Sequence, residues 1–280
     1  MASLKEVKGR IASVNNTRKI TSAMKMVASA KLHKAQAAIE NMLPYERRLN
    51  HILTNFLSAG SEVESPFIVK REVKRVAIVV FASNTSLCGG FNANIIRHLT
   101  VILDEYKSLG MENVLLYPVG RKVAEGVKKL GFKAEGDFQH MADKPSYQEA
   151  SALAEDLMRR FLHRDIDKVE LLYNHFRSTA VQVLTRETYL PIDLTQEKKE
   201  EDKGRIPDYI VEPSVDVVMG ELLTVLLDSN ASEHAARTMA MQIATDNAND
   251  LLQDLTVMYN KSRQQAITNE LLDIVGGSMA

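Results

Sequence analysis

Ala231-Ser232-Glu233-His234-Ala235-Ala236-Arg237, followed by Ala244-Thr245-Asp246-Asn247-Ala248 and Tyr259-Asn260-Lys261-Ser262-Arg263, lies in a tract that decides the fold. From Pro213 to Val275 the tract has no further proline and one glycine, Gly220. A stripe runs along it through Leu222, Leu226, Ala236, Ala240, Ile243, Asn247, Leu251, Leu255, Met258, Ser262 and Ala266. Its steps of three and four are helical. About 60 residues at about 1.5 Å rise make a rod on the order of 90 Å. A pattern that long predicts a coiled coil or a helical repeat. No repeat period is present, and the irregular steps leave the supercoil hand open.

The amino end reads the same way. Residues 3 to 58 hold one proline, Pro44, and one glycine, Gly9, and are rich in Ala, Lys, Met and Leu, which are strong helix formers. Ser3 with Glu6 forms a capping-box pattern. Apolar positions fall at Leu4, Val7, Ile11 and Val14, resume at Ile20, Met24 and Val27, and continue through Ala35, Ile39 and Met42. Asn15 to Lys19 interrupts them with polar residues. Pro44 is expected to bend or break the helix, since it lacks an amide proton. Charge separates the two ends. Residues 1 to 40 carry Lys5, Lys8, Arg10, Arg18, Lys19, Lys25, Lys31 and Lys34 against Glu6 and Glu40. Beyond 245, Asp246, Asp250, Asp254, Glu270 and Asp273 stand against Lys261 and Arg263. The two rods are expected to pair as an antiparallel coiled coil.

Between them the period changes. Arg75 to Phe81 is a continuous apolar run after its first residue, as in a strand buried on both faces. Helical stretches at Asn92–Leu109, Arg121–Leu130 and Ser151–Leu162 alternate with strands at Val114–Tyr117 and Val169–Phe176. Val181 to Thr185 alternates and pairs with its predecessor as a hairpin. This predicts a Rossmann-like α/β domain with a mostly parallel sheet. The expected divisions are 1–58 for the first coiled-coil helix, 70–195 for the α/β domain, 196–213 for a charged linker loop and 214–280 for the second coiled-coil helix.

Composition narrows the function. The chain has 280 residues, 45% hydrophobic and 25% charged, as in a folded soluble protein. A formal net charge of −1 argues against general nucleic-acid binding, which rests on neutralised phosphates. One cysteine, Cys88, excludes an internal disulfide and a cysteine-based zinc cluster, and is read as a reducing compartment. No stretch approaches the roughly 18 apolar residues of a membrane span. Ser86-Leu87-Cys88-Gly89-Gly90-Phe91-Asn92 sits where a strand meets a helix, which is where nucleotide folds hold phosphate. It lacks either glycine fingerprint of a nucleotide site, so it is read as a tight turn, with an anion cradle as the alternative. The seven histidines show no metal-ligand spacing, and Glu233-His234 is read as an exposed polar face. The basic patch from Asn15 to Lys25 has two level readings, a solvated stripe or a partner's electrostatic contact. Neither a cofactor nor a metal is expected.

Taken together these stretches resemble the gamma subunit family of the F-type rotary ATP synthase. The likeness rests on Ile11 to Thr21 with Ala23 to Ala28, on Leu87 to Asn92, and on Ala231 to Arg237, Ala244 to Ala248 and Tyr259 to Glu270. It covers the whole chain in order. Three departures are visible. Asn84-Thr85-Ser86 stands where the family usually has Asp, a basic residue and Gly. Gly277-Ser278 stands for Gly-Ala, and Asp228 for Glu.

The resemblance implies a non-catalytic rotor shaft in a bacterial inner-membrane complex, peripheral on the cytoplasmic side. Its implied partners are the alpha, beta, delta and epsilon subunits and the c ring. It also implies contacts of Arg237, Gln264, Thr268 and Glu270 with beta-subunit loops near the top of the shaft. Met24, Lys25 and the Cys88 turn would face an acidic lever of beta. Tyr209, Glu212 and Pro213 would lie near epsilon and the c ring. A Rossmann-like nucleotide enzyme and an unrelated coiled-coil adaptor are the alternatives.

Overall fold

The computed structural model describes residues 3–58, 66–192 and 215–277. Helix α1 spans Leu4–Ser58 and helix α6 spans Val215–Gly277. Between them come β1 (Val76–Phe81), α2 (Phe91–Glu105), β2 (Val114–Val119), α3 (Arg121–Lys129), α4 (Gln139–Asp143), α5 (Tyr147–Leu162), β3 (Lys168–Phe176) and β4 (Gln182–Leu190). The mixed α/β fold and the paired terminal helices match expectation, with one addition in α4. α2 stops at Glu105, and residues 107–109 tighten into a 3₁₀ turn.

The sheet order is β2-β1-β3-β4, parallel for the first three strands and antiparallel between β3 and β4. β1 is buried along its whole length because both faces are covered. Val76, Ile78 and Val80 point to Ile95, Leu99 and Ile102 of α2 and Val123 and Val127 of α3. Ala77, Val79 and Phe81 point the other way, to α5 and the first turns of α6. Val218, Met219, Leu222, Leu223, Val225, Leu226 and Leu227 belong to that second core, so the long helix is rooted in the sheet. Burying a large aliphatic side chain contributes roughly 1.5–3 kcal/mol. The root of α6 is therefore held by the main hydrophobic core.

Beyond the sheet α6 pairs with α1. Ser3 Oγ accepts a hydrogen bond from the Glu6 amide, so the predicted amino-terminal cap forms. The helix runs past Pro44 without a break, contrary to the expected interruption. Its α-helical neighbours on both sides outweigh one missing bond, a loss of about 3 kcal/mol. Buried and half-buried positions on α1 include Val7, Ile11, Val14, Arg18, Thr21, Lys25, Ala28, Leu32, Ala35, Ile39 and Met42. On α6 they include Ala231, Ala235, Thr238, Met241, Thr245, Ala248, Leu252, Leu255, Tyr259, Ser262 and Ala266. Steps of three and four link these positions, so each helix presents one contact face to the other.

This seam corrects the predicted stripes. Ile20, Val27, Ile243, Leu251 and Met258 are all exposed, and the seam passes instead through Thr21, Lys25, Thr245 and Leu252. Several apolar residues lie outside and polar ones inside over the middle of the stem, beside the buried Ala28, Met241 and Ala248. Thr21 and Thr245 hydroxyls meet at 2.8 Å, and Arg18 donates to Asn249 Oδ1 at 3.2 Å. Lys25 Nζ donates to Gln242 Oε1 at 2.6 Å, and Gln242 Nε2 donates to both carboxylate oxygens of Asp246. The opposite charges of the two ends are thus linked through amides.

Candidate functional site

Cys88 and Arg237 meet at the Thr85 carbonyl where the stem leaves the sheet, and Lys25 on α1 reaches Gln242, more than one helical turn further out. The turn from Ser83 to Asn92 leaves the end of β1 and enters α2. Asn92 Oδ1 accepts from Ser83 N at 3.1 Å and from Ser83 Oγ at 3.0 Å, while its Nδ2 donates to Cys88 Sγ at 3.2 Å. Cys88 is buried, and Leu87 before it is exposed with φ +68°. A left-handed backbone is unfavourable for a branched side chain, by about 1–2 kcal/mol. Leu87 is held there by the closed turn around it. The interior of the turn is filled by Cys88 and Asn92 themselves, which favours the tight-turn reading. A Cβ added at Gly89 would lie 3.9 Å from Ala240 Cβ of α6, so the turn rests directly on the stem.

Arg237 closes the other side. Its Nη2 donates to Thr85 Oγ1 at 2.7 Å and to Thr85 O at 3.3 Å. Its Nη1 donates to Glu233 Oε1 at 2.6 Å and approaches His234 Nδ1 at 3.3 Å. Arg237 is 9% exposed, and Glu233 and His234, expected on an exposed face, are 5% and 6% exposed. They face the sheet because this turn of α6 is still inside the α/β layer.

Burial is the main influence on both neighbours. It raises the Glu233 pKa, against the pull of Arg237. It lowers that of His234 to about 4, helped by the positive charges of Arg237 and Lys31. A neutral imidazole is also what an arginine N–H pointing at Nδ1 requires. Relative to an unfolded value of about 6.5, the depressed folded value means stability is full above pH 6.5 and falls as pH drops toward 4. His234→Gln is expected to flatten that acid limb by on the order of 3 kcal/mol. Urea unfolding of both chains between pH 4 and 7 measures it; parallel curves would refute it.

Gln264, Thr268 and Glu270 do not join this cluster. They are exposed on the far part of α6, roughly 40 Å beyond Arg237 at about 1.5 Å per residue. Arg237 therefore sits at the root of the stem, which corrects its expected place beside them near the top. Ile267, Leu271, Leu272, Ile274 and Val275 on the same stretch are all exposed, since the antiparallel register brings α1 to its start near Ser262. Tyr209, Glu212 and Pro213 lie outside the described residues.

Sequence reading missed a second latch. Asp228 Oδ2 meets His175 Nδ1 at 2.6 Å, and its Oδ1 accepts from Phe176 N at 2.8 Å, tying the end of β3 to α6. It also missed the side-chain network at Glu170. Burial opposes that carboxylate, yet hydrogen bonds from Arg186, Lys168 and Tyr106 prevail and hold its pKa below the ordinary value. Asp228 stands 53 positions from His175 and Glu170 16 from Arg186, separations that strand or helix periodicity does not link.

A long paired stem, rooted in a covered sheet and latched to it by polar contacts, defines a stalk-type protein whose working parts are surfaces and struts. The family profile described as ATP synthase matches residues 3–280. The ATP synthase gamma chain of Phocaeicola vulgatus is 96% identical, and that of Bacteroides fragilis 65%, each aligned over all of both chains. A chain of the Euglena gracilis mitochondrial ATP synthase OSCP/F1/c-ring structure shares the fold at 18% identity and a TM-score of 0.65, covering 99% of this chain and 93% of that one. This chain belongs to the ATP synthase gamma chain family.

Proposed function

We propose that the chain is the central rotor shaft of a proton-translocating F-type ATP synthase, carrying the rotation of a membrane c ring to catalytic beta subunits. The observation that carries this reading is the continuity of α6. One 63-residue helix is sheet core at its root and exposed rod at its tip. Torque applied at the sheet has an unbroken covalent and hydrogen-bonded path to the tip. Surface character supports a surrounding partner. Ile20, Met26 and Val27 on α1 and Met239 and Ile243 on α6 form apolar patches around a polar seam, and the far tip is apolar as well. Apolar patches of this kind mark interaction sites.

In this reading alpha and beta subunits enclose the stem. Met24, Lys25 and the Cys88 turn face beta at the lower level, and Gln264, Thr268 and Glu270 meet beta near the tip. The α/β layer, with delta and epsilon as further partners of the complex, stands toward the c ring. The chain is peripheral at the cytoplasmic face of the bacterial inner membrane. No described helix is long and apolar enough to cross a bilayer. Copurification tests the assembly: alpha, beta and epsilon should accompany the tagged chain at about three, three and one per copy. Recovery of the chain alone, with normal folding, would overturn the reading.

Magnitudes set the tolerance of single contacts. One proton crossing about 150 mV releases roughly 3–4 kcal/mol, and several act per ATP. An exposed polar contact contributes about 0–1 kcal/mol. Lys25→Ala removes one such bond while Gln242 keeps Asp246. ATP turnover of the variant complex is expected to fall at most a few-fold, with ATP-driven proton pumping retained. Loss of all pumping in inverted vesicles would contradict it.

A further inference from the structure

Thr85 is the meeting point of three elements. Its carbonyl accepts from Ser83 Oγ at 2.6 Å, from Cys88 Sγ at 3.8 Å and from Arg237 Nη2 at 3.3 Å. Its hydroxyl accepts from the same guanidinium at 2.7 Å. The residue before it is wired to the opposite side. Asn84 Nδ2 donates to Gln139 O at 2.7 Å, Asn84 Oδ1 accepts from Arg121 N at 2.7 Å, and Asn84 O accepts from Arg121 Nε and Nη2. Asn84 thus ties the turn to α3 and α4, while Thr85 ties it to α6. Apart from the bonds inside the turn, Arg237 is the polar tie from the turn to the stem among the described residues. The exposed Leu87 stands two residues on, in a backbone conformation that needs support.

We propose that Arg237 is a positioning residue whose two hydrogen bonds to Thr85 lock the Leu87–Gly89 turn to α6, so that load on the turn passes into the stem without slack. The guanidinium suits this task. It is planar, and its fork holds Thr85 on Nη2 and Glu233 on Nη1, so it fixes orientation as well as distance. Glu233 and His234 hold its other nitrogen, which stops the side chain from swinging away with the turn. A lysine would supply charge without the fork.

The inference rests on the shaft reading, and the test separates the two. Thr85→Val, Thr85→Ser and Arg237→Lys are prepared in the assembled complex. Hydrogen exchange of amides 86–91 and the ratio of proton pumping to ATP hydrolysis are measured. Loss of a charge-assisted bond should speed exchange of those amides about tenfold in Thr85→Val and Arg237→Lys. The pumping ratio should fall about twofold or more while hydrolysis continues, and Thr85→Ser, which keeps the hydroxyl, should restore both. Unchanged exchange, a loosened turn with an unchanged ratio, or no rescue by serine would each overturn the proposal. If Thr85→Val fails to assemble, Arg237→Lys carries the same comparison. Failure of the shaft reading itself would show differently, as absence of ATP-driven pumping in the parent complex.

Discussion

Gly120→Ala is expected to destabilise the chain by on the order of 4 kcal/mol and to lower recovery of the assembled complex sharply. Gly120 follows β2 with φ +110°, a conformation that side-chain-bearing residues rarely adopt. A Cβ there would lie 2.2 Å from Ala82 O, 2.8 Å from Ala82 C and 3.3 Å from Ser83 O. These are backbone atoms, fixed by their own bonds. Ala82 N donates to Val119 O at 2.9 Å and Lys122 N donates to Ser83 O at 3.1 Å. Relief of the clash must separate the ends of β1 and β2, and the turn that carries Asn84, Thr85 and Cys88 begins at that crossing. Arg121 N would lose Asn84 Oδ1, so the functional turn should loosen together with the sheet. Gly9→Ala is the control, because nothing lies within 4 Å of a Cβ there and the site is ordinary helix. It should gain up to about 1 kcal/mol. Urea midpoints of the full-length chains decide the matter. A parental midpoint for Gly120→Ala would show that the crossing is not rigid.

Much of the architecture is legible in the sequence, because some signals are local. β1 announces itself as a strand covered on both faces, since Val76 to Phe81 offers no polar side to water. The terminal helices announce themselves by the scarcity of glycine and proline. The junction is not legible, for a physical reason. Arg237 finds Thr85 across 152 positions, and Asp228 finds Phe176 across 52. Burial at Glu233 and His234 depends on a neighbouring sheet, and helical periodicity says nothing about where a stem leaves its root.

The seam fails to read for a different reason. Hydrophobic periodicity assumes that apolar residues face inward, and in the middle of this stem several do not. Ile20, Val27 and Ile243 turn outward while Thr21, Lys25 and Thr245 turn in. A sequence stripe follows the apolar set and so rotates off the true contact face. The contact face emerges only when polar seam positions are counted. Buried polar residues in a coiled coil fix register at some cost in stability. Here Thr21 with Thr245 sets the alignment of the two helices, and the exposed Arg18–Asn249 bond agrees with it.

That alignment makes opposite predictions for two neighbouring leucines. Leu255 is 6% exposed on the seam, and the register places it opposite the α1 turn that carries Ile11. Leu251 is 47% exposed and points away from α1. Aspartate at 255 would lose the apolar burial and set a charge inside the helix pair on a side chain too short to reach water. Together these should cost on the order of 4 kcal/mol, either separating the upper helices or driving the carboxyl to stay protonated. The deficit should therefore shrink as pH falls through the raised pKa of the new carboxyl, because protonation removes the charge that opposes folding. Leu251→Asp should shift stability by no more than about 0.5 kcal/mol. Urea unfolding of the two full-length variants at pH 7 and pH 5 makes the comparison. Equal losses at the two positions would mean that the helices pair on another face, and the polar contacts at Thr21 and Lys25 would have to be rebuilt with them.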